Sequence, residues 1–168
     1  MGNSICPSCT TKVLRPYGYS KDVLIIGDIP EPEDVKIGRP FVGPIGYILR
    51  KEFALLGIDL LQLRSTILWL HTPTTNKAIK DNCFKHGLDV SLEEAKNKKA
   101  VLLIGNAVEI FTEFNVSDVN GLQVDSHLLS APIIYTMYNP KRAFVGVVGE
   151  IRFAIQNFVN HIQKENLI

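Results

Sequence analysis

Four short apolar runs, Val23 to Ile26, Ser65 to Leu70, Ala100 to Ile104 and Ala131 to Met137, are separated by segments of helical spacing, and that alternation leaves few folds open. Runs of four to seven apolar and β-branched residues bounded by Gly, Asp, Asn or Pro fit buried strands. Parallel strands need crossovers, and the helical segments between the runs are long enough to supply them. Ile45, Leu49, Phe53 and Leu56 mark one helix that should stop at Gly57. His71 to Asn76 reads as a loop, followed by helical material around Ile79 to His86 and a second piece from a Ser91 N-cap, with Glu94 three residues on, to about Lys98. A short helix, Ala107 to Phe114, an extended piece, Gly121 to Leu129, and a closing amphipathic helix, Val148 to Lys164, complete the order. The expected fold is a three-layer α/β/α sandwich around a short, mainly parallel four-stranded sheet. It forms a single domain, 1–168, whose N-terminal arm, 1–20, carries metal-ligand candidates.

The 168 residues, 46% hydrophobic and 21% charged, suit one globular domain with a full core. A net charge of +1 excludes a chain that is basic overall, so contact with nucleic acid must come from a local patch or from backbone amides. No apolar run approaches the roughly 20 residues that span a bilayer. The polar N-terminus lacks a signal-peptide core, and the opening MGNSIC misses the N-myristoylation pattern because Cys6 stands where Ser or Thr is required. Three cysteines, two of them in Cys6-Pro7-Ser8-Cys9, suit metal ligation in a reducing compartment better than a disulfide framework. The cytoplasm is the expected location.

The stretch from Val23 to Gly46 reads as the site. Gly27-Asp28 puts a carboxylate where the first strand ends, the edge at which open α/β sheets bind ligands. Gly38, Gly43 and Gly46 bracket Arg39-Pro40-Phe41-Val42 with points of close backbone approach, a loop able to hold a flat ring against Phe41 and a phosphate against its amides. Each residue also has a plainer reading: Asp28 as a turn or cap, Phe41 as core, Arg39 and Lys141-Arg142 as solvated charge, and Phe144 as a core residue.

Three separated segments carry a resemblance. Gly27-Asp28-Ile29-Pro30, Glu33-Asp34 and Gly38-Arg39-Pro40-Phe41-Val42-Gly43 are followed by Leu103-Ile104-Gly105-Asn106-Ala107 and Thr136-Met137-Tyr138-Asn139-Pro140. In order and spacing the chain resembles the uracil-DNA glycosylase superfamily, closest to its family 4, iron-sulfur branch. The resemblance implies base excision from DNA. Asp28 would stabilise an oxocarbenium-like sugar and orient a water, with Asn139 hydrogen-bonded to the base carbonyl. Gly27, Phe41 and Gly43 would line the base pocket, Phe41 stacking on the flipped-out base. Arg39, Lys141 and Arg142 would meet phosphates, and Phe144 would wedge into the gap left in the stack. Asp28 stands where that branch carries Glu, and Asn139 where it carries His. The family's base-reading asparagine falls on Ile67 when His71 is aligned with a cluster cysteine. No lysine occupies a matched catalytic position, so no Schiff-base lyase is implied.

Cys6, Cys9 and Cys83 resemble three of the branch's four cluster cysteines, and His71 takes roughly the place of the fourth. His86 is a rival, three residues after Cys83 on one helical face. The resemblance implies a structural 4Fe-4S cluster, whereas three thiolates and an imidazole suit zinc by coordination preference. The implied partners are DNA, single- or double-stranded, and replication or repair proteins, with the chain a monomer. The replacements Ile67 and Asn139 keep a second expectation open: a glycosylase-fold DNA-binding protein with little catalysis. A nucleotide-handling enzyme acting on free nucleosides is a third.

Overall fold

The computed structural model describes residues 5–168; Met1 to Ser4, most of the segment weighed as a lipidation signal, lie outside the described residues. Four strands, β1 (Val23–Gly27), β2 (Arg64–Ile67), β3 (Ala100–Ile104) and β4 (Ile133–Met137), form one sheet in the order β2-β1-β3-β4. Every pairing is parallel, with Ile25 between Ser65 and Leu102, and Leu102 opposite Tyr135. The central strands are buried throughout, which explains why they read as continuous apolar runs.

Successive side chains still alternate between two cores. Val23, Ile25, Leu102 and Ile104 pack with Leu49 and Phe53 of α2 (Pro44–Ala54) and with Ile151, Ile155 and Phe158 of α6 (Val148–Lys164). Leu24, Ile26, Val101 and Leu103 pack on the other face with Ala95 of α3 (Lys77–Ala95), Val108 and Phe111 of α4 (Ala107–Thr112) and Val119 of α5 (Val116–Val119). The result is the expected three-layer α/β/α arrangement. A short helix, α1 (Pro32–Ile37), occupies the acidic stretch between β1 and the glycine loop. Among the described residues no helix is long and apolar enough to cross a membrane.

The expected break before Ser91 is absent, and α3 runs unbroken from its cap at Asn76, whose side chain accepts from Ile79 N–H at 3.3 Å. Ser91 is fully buried inside the helix rather than at its start. Gly87 is there for packing: a Cβ at this position would overlap the Leu68 carbonyl, so the helix lies directly on the chain leaving β2. Strand β4 begins later than expected because Pro132 has no N–H to donate, and the ladder starts with Ile133 N–H on Lys99 O at 3.2 Å. Of the extended piece after Gly121, only Gln123 pairs, antiparallel to Tyr135.

The N-terminal arm runs beside β2 and covers its open edge. Tyr17 and Ser65 exchange both backbone hydrogen bonds, at 2.9 and 2.7 Å, while Leu14 N–H reaches Leu70 O and Tyr19 N–H reaches Leu61 O. An irregular segment thereby satisfies a sheet edge that would otherwise be a site for pairing with other chains.

Candidate functional site

Chain order reverses between β1 and β3, because β2 lies on one side of β1 and the later strands on the other. The carboxyl ends at such a switch point diverge and leave a crevice. Asp28 follows β1 there, and Gly105-Asn106 follows β3. Gly105 has φ +63°, and a Cβ at this position would touch Asn139 Cβ at 3.4 Å and Asp28 Oδ2 at 3.5 Å, so the bare glycine is what Asp28 and Asn139 close around. Burial pushes the Asp28 carboxyl above the usual range; the Asn106 N–H and the Lys141 charge pull it down, and Glu109 raises it. Asn106 and Glu109 were not anticipated as neighbours of Asp28, although the Gly105-Asn106 turn that places them is visible in the sequence.

Asn139 caps the following 3-10 turn (Pro140–Val145), its Oδ1 accepting from Lys141 N–H at 3.0 Å. Its side-chain amide keeps N–H groups to donate elsewhere. On that turn the Arg142 guanidinium lies 3.9 Å from the centroid of the Tyr138 ring. Phe144 is 66% exposed, so the packed alternative for this residue is set aside.

The glycine loop differs from expectation in one respect. Its amides are occupied: Asp34, buried in α1, accepts from Val42 N–H at 2.8 Å and Gly43 N–H at 3.3 Å, and Glu31 accepts from Ile45 N–H at 2.9 Å and Gly46 N–H at 3.0 Å. The loop is therefore held by internal carboxylates, and these amides offer no seat for a phosphate. Phe41 sits at φ +58°, a costly conformation for an aromatic residue, with its carbonyl taken by Arg50. Phe41 as a whole is only 8% exposed. A Cβ on Gly27 would come within 2.9 Å of the Phe41 ring and 3.3 Å of Ile67, so Gly27, Phe41 and Ile67 close together at the end of β1. Ile67 is fully buried and offers no polar group. Arg39 and Phe41 line a cavity of about 380 Å³ with Tyr17, Arg50 and Leu60, a hollow to which Asp28 does not contribute.

The thiols gather into a second constellation. Ligand atoms of Cys6, Cys9, His71 and Cys83 all lie within 4.8 Å of one another, with Cys6 Sγ 3.5 Å from Cys83 Sγ and Cys9 Sγ 3.3 Å from His71 Nε2. His71, not its rival His86, belongs to the set. His71 Nδ1 lies 2.7 Å from Thr72 O, a contact that fixes the proton on Nδ1 and leaves Nε2 bare toward the thiols. Cys6 and Cys9 are presented by a tight turn in which Cys6 N–H donates to Thr11 O and Thr10 N–H to Cys6 O. Burial pushes the Cys9 thiol up, but contacts with the Thr11 hydroxyl and N–H and with the other two thiols outweigh it and hold it at about 7. Burial and its two sulfur neighbours push Cys83 up to about 12. Three thiols and one oriented imidazole at this spacing fit a metal ion.

No protein-family model matches the chain, and no curated protein matches it. What the two constellations can do is read from their own residues.

Proposed function

We propose that the chain is a DNA glycosylase-like protein that hydrolyses the N-glycosidic bond of a flipped-out uracil or related modified pyrimidine. The observation that carries this reading is the convergence of Asp28 and Asn139 on Gly105 at the sheet's switch point. Breaking the bond leaves positive charge on the deoxyribose and negative charge on the base. Asp28 stabilises the first and holds the attacking water, whose oxygen bonds to the sugar carbon while the base departs with the bonding pair; the water proton passes to Asp28 and, through solvent, to the departing base anion. Asn139 donates one neutral hydrogen bond to the base carbonyl, weaker than the charge-assisted bond of a protonated histidine. Lys141 and Arg142 meet phosphates, and the exposed Phe144 ring enters the gap in the stack.

The metal centre holds the arm, and we assign it one zinc ion. One ion about 2.3 Å from three sulfurs and about 2.0 Å from one nitrogen would space tetrahedral donors about 3.5–3.8 Å apart. The Cys6–Cys83 contact of 3.5 Å and the Cys9–His71 contact of 3.3 Å lie near that spacing, with all four ligand atoms within 4.8 Å of one another, whereas a cube of four irons, as the resemblance implies, would spread its ligands wider. Metal analysis of fresh protein tests the assignment: one colourless zinc per chain supports it, and a brown iron- and sulfide-containing sample overturns it.

A second reading, DNA binding with little chemistry, is favoured by the closure of Gly27, Phe41 and Ile67 on one another, which narrows the place for a base. Oligonucleotides carrying uracil, hydroxymethyluracil or hypoxanthine, tested for alkali-labile abasic sites, separate the two. Sites formed by the wild type and lost in Asp28→Ala support the enzyme; tight binding with no base released supports the second reading.

A further inference from the structure

We propose that the cavity between the glycine loop and the arm is a second ligand site, built for a nucleotide phosphate. It is distinct from the Asp28 crevice and does not depend on the glycosylase reading. Its volume, about 380 Å³, is within the range of small-molecule pockets. Two arginines from different elements line it, Arg39 from the loop and Arg50 from α2. Neither forms a salt bridge among the described residues. Arg39 Nε is buried with no hydrogen-bond partner, a donor in want of an acceptor. The Arg39 guanidinium is nonetheless fixed in place, its carbon 4.7 Å from the centroid of the Tyr17 ring, and Arg50 is anchored by the Phe41 carbonyl. Two fixed guanidinium groups without carboxylate partners suit a phosphate, which takes forked donors on more than one edge.

The remaining lining completes the chemical class. Ile37, Pro40, Val42, Leu60 and Leu61 give an apolar wall for a flat ring. Asp59 is the one acidic group among the lining residues; it accepts from Leu61 N–H at 2.9 Å, and its free lone pairs can accept from a sugar hydroxyl or a base N–H. Cations for a phosphate, an acceptor for the sugar or base and an apolar wall for the ring together describe a nucleoside monophosphate, either free or as one unit of a single strand.

Calorimetric titration of the intact protein tests this with uridine and adenosine monophosphates, the parent nucleosides, inorganic phosphate, and a short single-stranded oligonucleotide. The expected result is binding of a monophosphate at least about tenfold tighter than its nucleoside or inorganic phosphate, weakened at least about tenfold in Arg39→Gln and in Leu61→Trp. Leu61 is a partly exposed wall residue, so its substitution fills the cavity without touching the core. Asp28→Asn should bind as the wild type does. Competition by the oligonucleotide, itself dependent on Arg39, assigns the site to a strand; monophosphate binding that the oligonucleotide leaves unchanged assigns it to free nucleotides. Monophosphate and strand binding that both ignore Arg39→Gln and Leu61→Trp, or no binding of either, overturns the proposal.

Discussion

Asp28 is asked to be ionised in a place that resists ionisation. Burial raises its carboxyl above the ordinary range, with the Asn106 N–H and Lys141 offsetting part of the effect. Because the folded chain holds this proton more tightly than the unfolded chain, stability falls as pH rises from the ordinary carboxylate range through the raised value, and the full penalty persists above it. Asp28→Asn should therefore melt at a higher temperature than the wild type at neutral pH, and the difference should shrink as the pH is lowered through that window, as calorimetry at several pH values would read. On the proposed reading the same substitution removes the anion that would face the sugar, so stability and activity should move in opposite directions. Asn139 makes the complementary case. Its Oδ1 is committed to the cap on Lys141, so only a neutral donor remains. Asn139→His should speed base release about tenfold or more by restoring a donor that can carry charge, measured as product formed under single turnover. Asp28 was legible in the sequence as a carboxylate at a strand end. The occupied amides of the glycine loop were not, because Glu31 and Asp34 precede the loop by up to fifteen residues and only the turn of α1 brings their carboxylates back onto it.

Helix α3 carries the clearest prediction at the scale of elements. Gly87→Ala adds a helix-favouring residue, yet its Cβ would overlap the Leu68 carbonyl, a backbone atom that no rotamer change can move. We expect a loss of about 3 kcal/mol or more, read by urea unfolding, where propensity alone would give a gain of about 1 kcal/mol. That sign reversal also explains why the helix looked like two pieces. A glycine followed four residues later by Ser91 and then Glu94 carries the local marks of a stop and a new start, while the reason for the glycine lies at Leu68, nineteen residues earlier. Strands β1, β3 and β4 were plain from the sequence as short apolar runs, and helix α6 from its own periodicity. The arm was not, since its order comes from pairing with β2 and from ligands on two other elements.

The whole molecule is a sheet with two kinds of attachment at its carboxyl edge, a crevice between β1 and β3 and a thiol-imidazole cluster beyond β2. The cluster joins the arm through Cys6 and Cys9, the loop after β2 through His71 and α3 through Cys83, so a metal bound there would add to the backbone hydrogen bonds that dock the arm. Removing the ion with a strong chelator, or substituting Cys83→Ser, should destabilise the protein by about several kcal/mol in a thermal melt. Trp69 lies two residues before His71, packs on Phe84 with ring centroids 5.3 Å apart and is the single tryptophan, so its emission should change on chelation. The Asp28 crevice is probed by the release of free base from a uracil-containing single strand by excess protein, followed by chromatography. Wild-type protein should release uracil with first-order kinetics, at a rate that falls at least about 100-fold in Asp28→Asn. Release at the same rate in both proteins, or none from the wild type on any pyrimidine tested, would rule out glycosidic hydrolysis at Asp28.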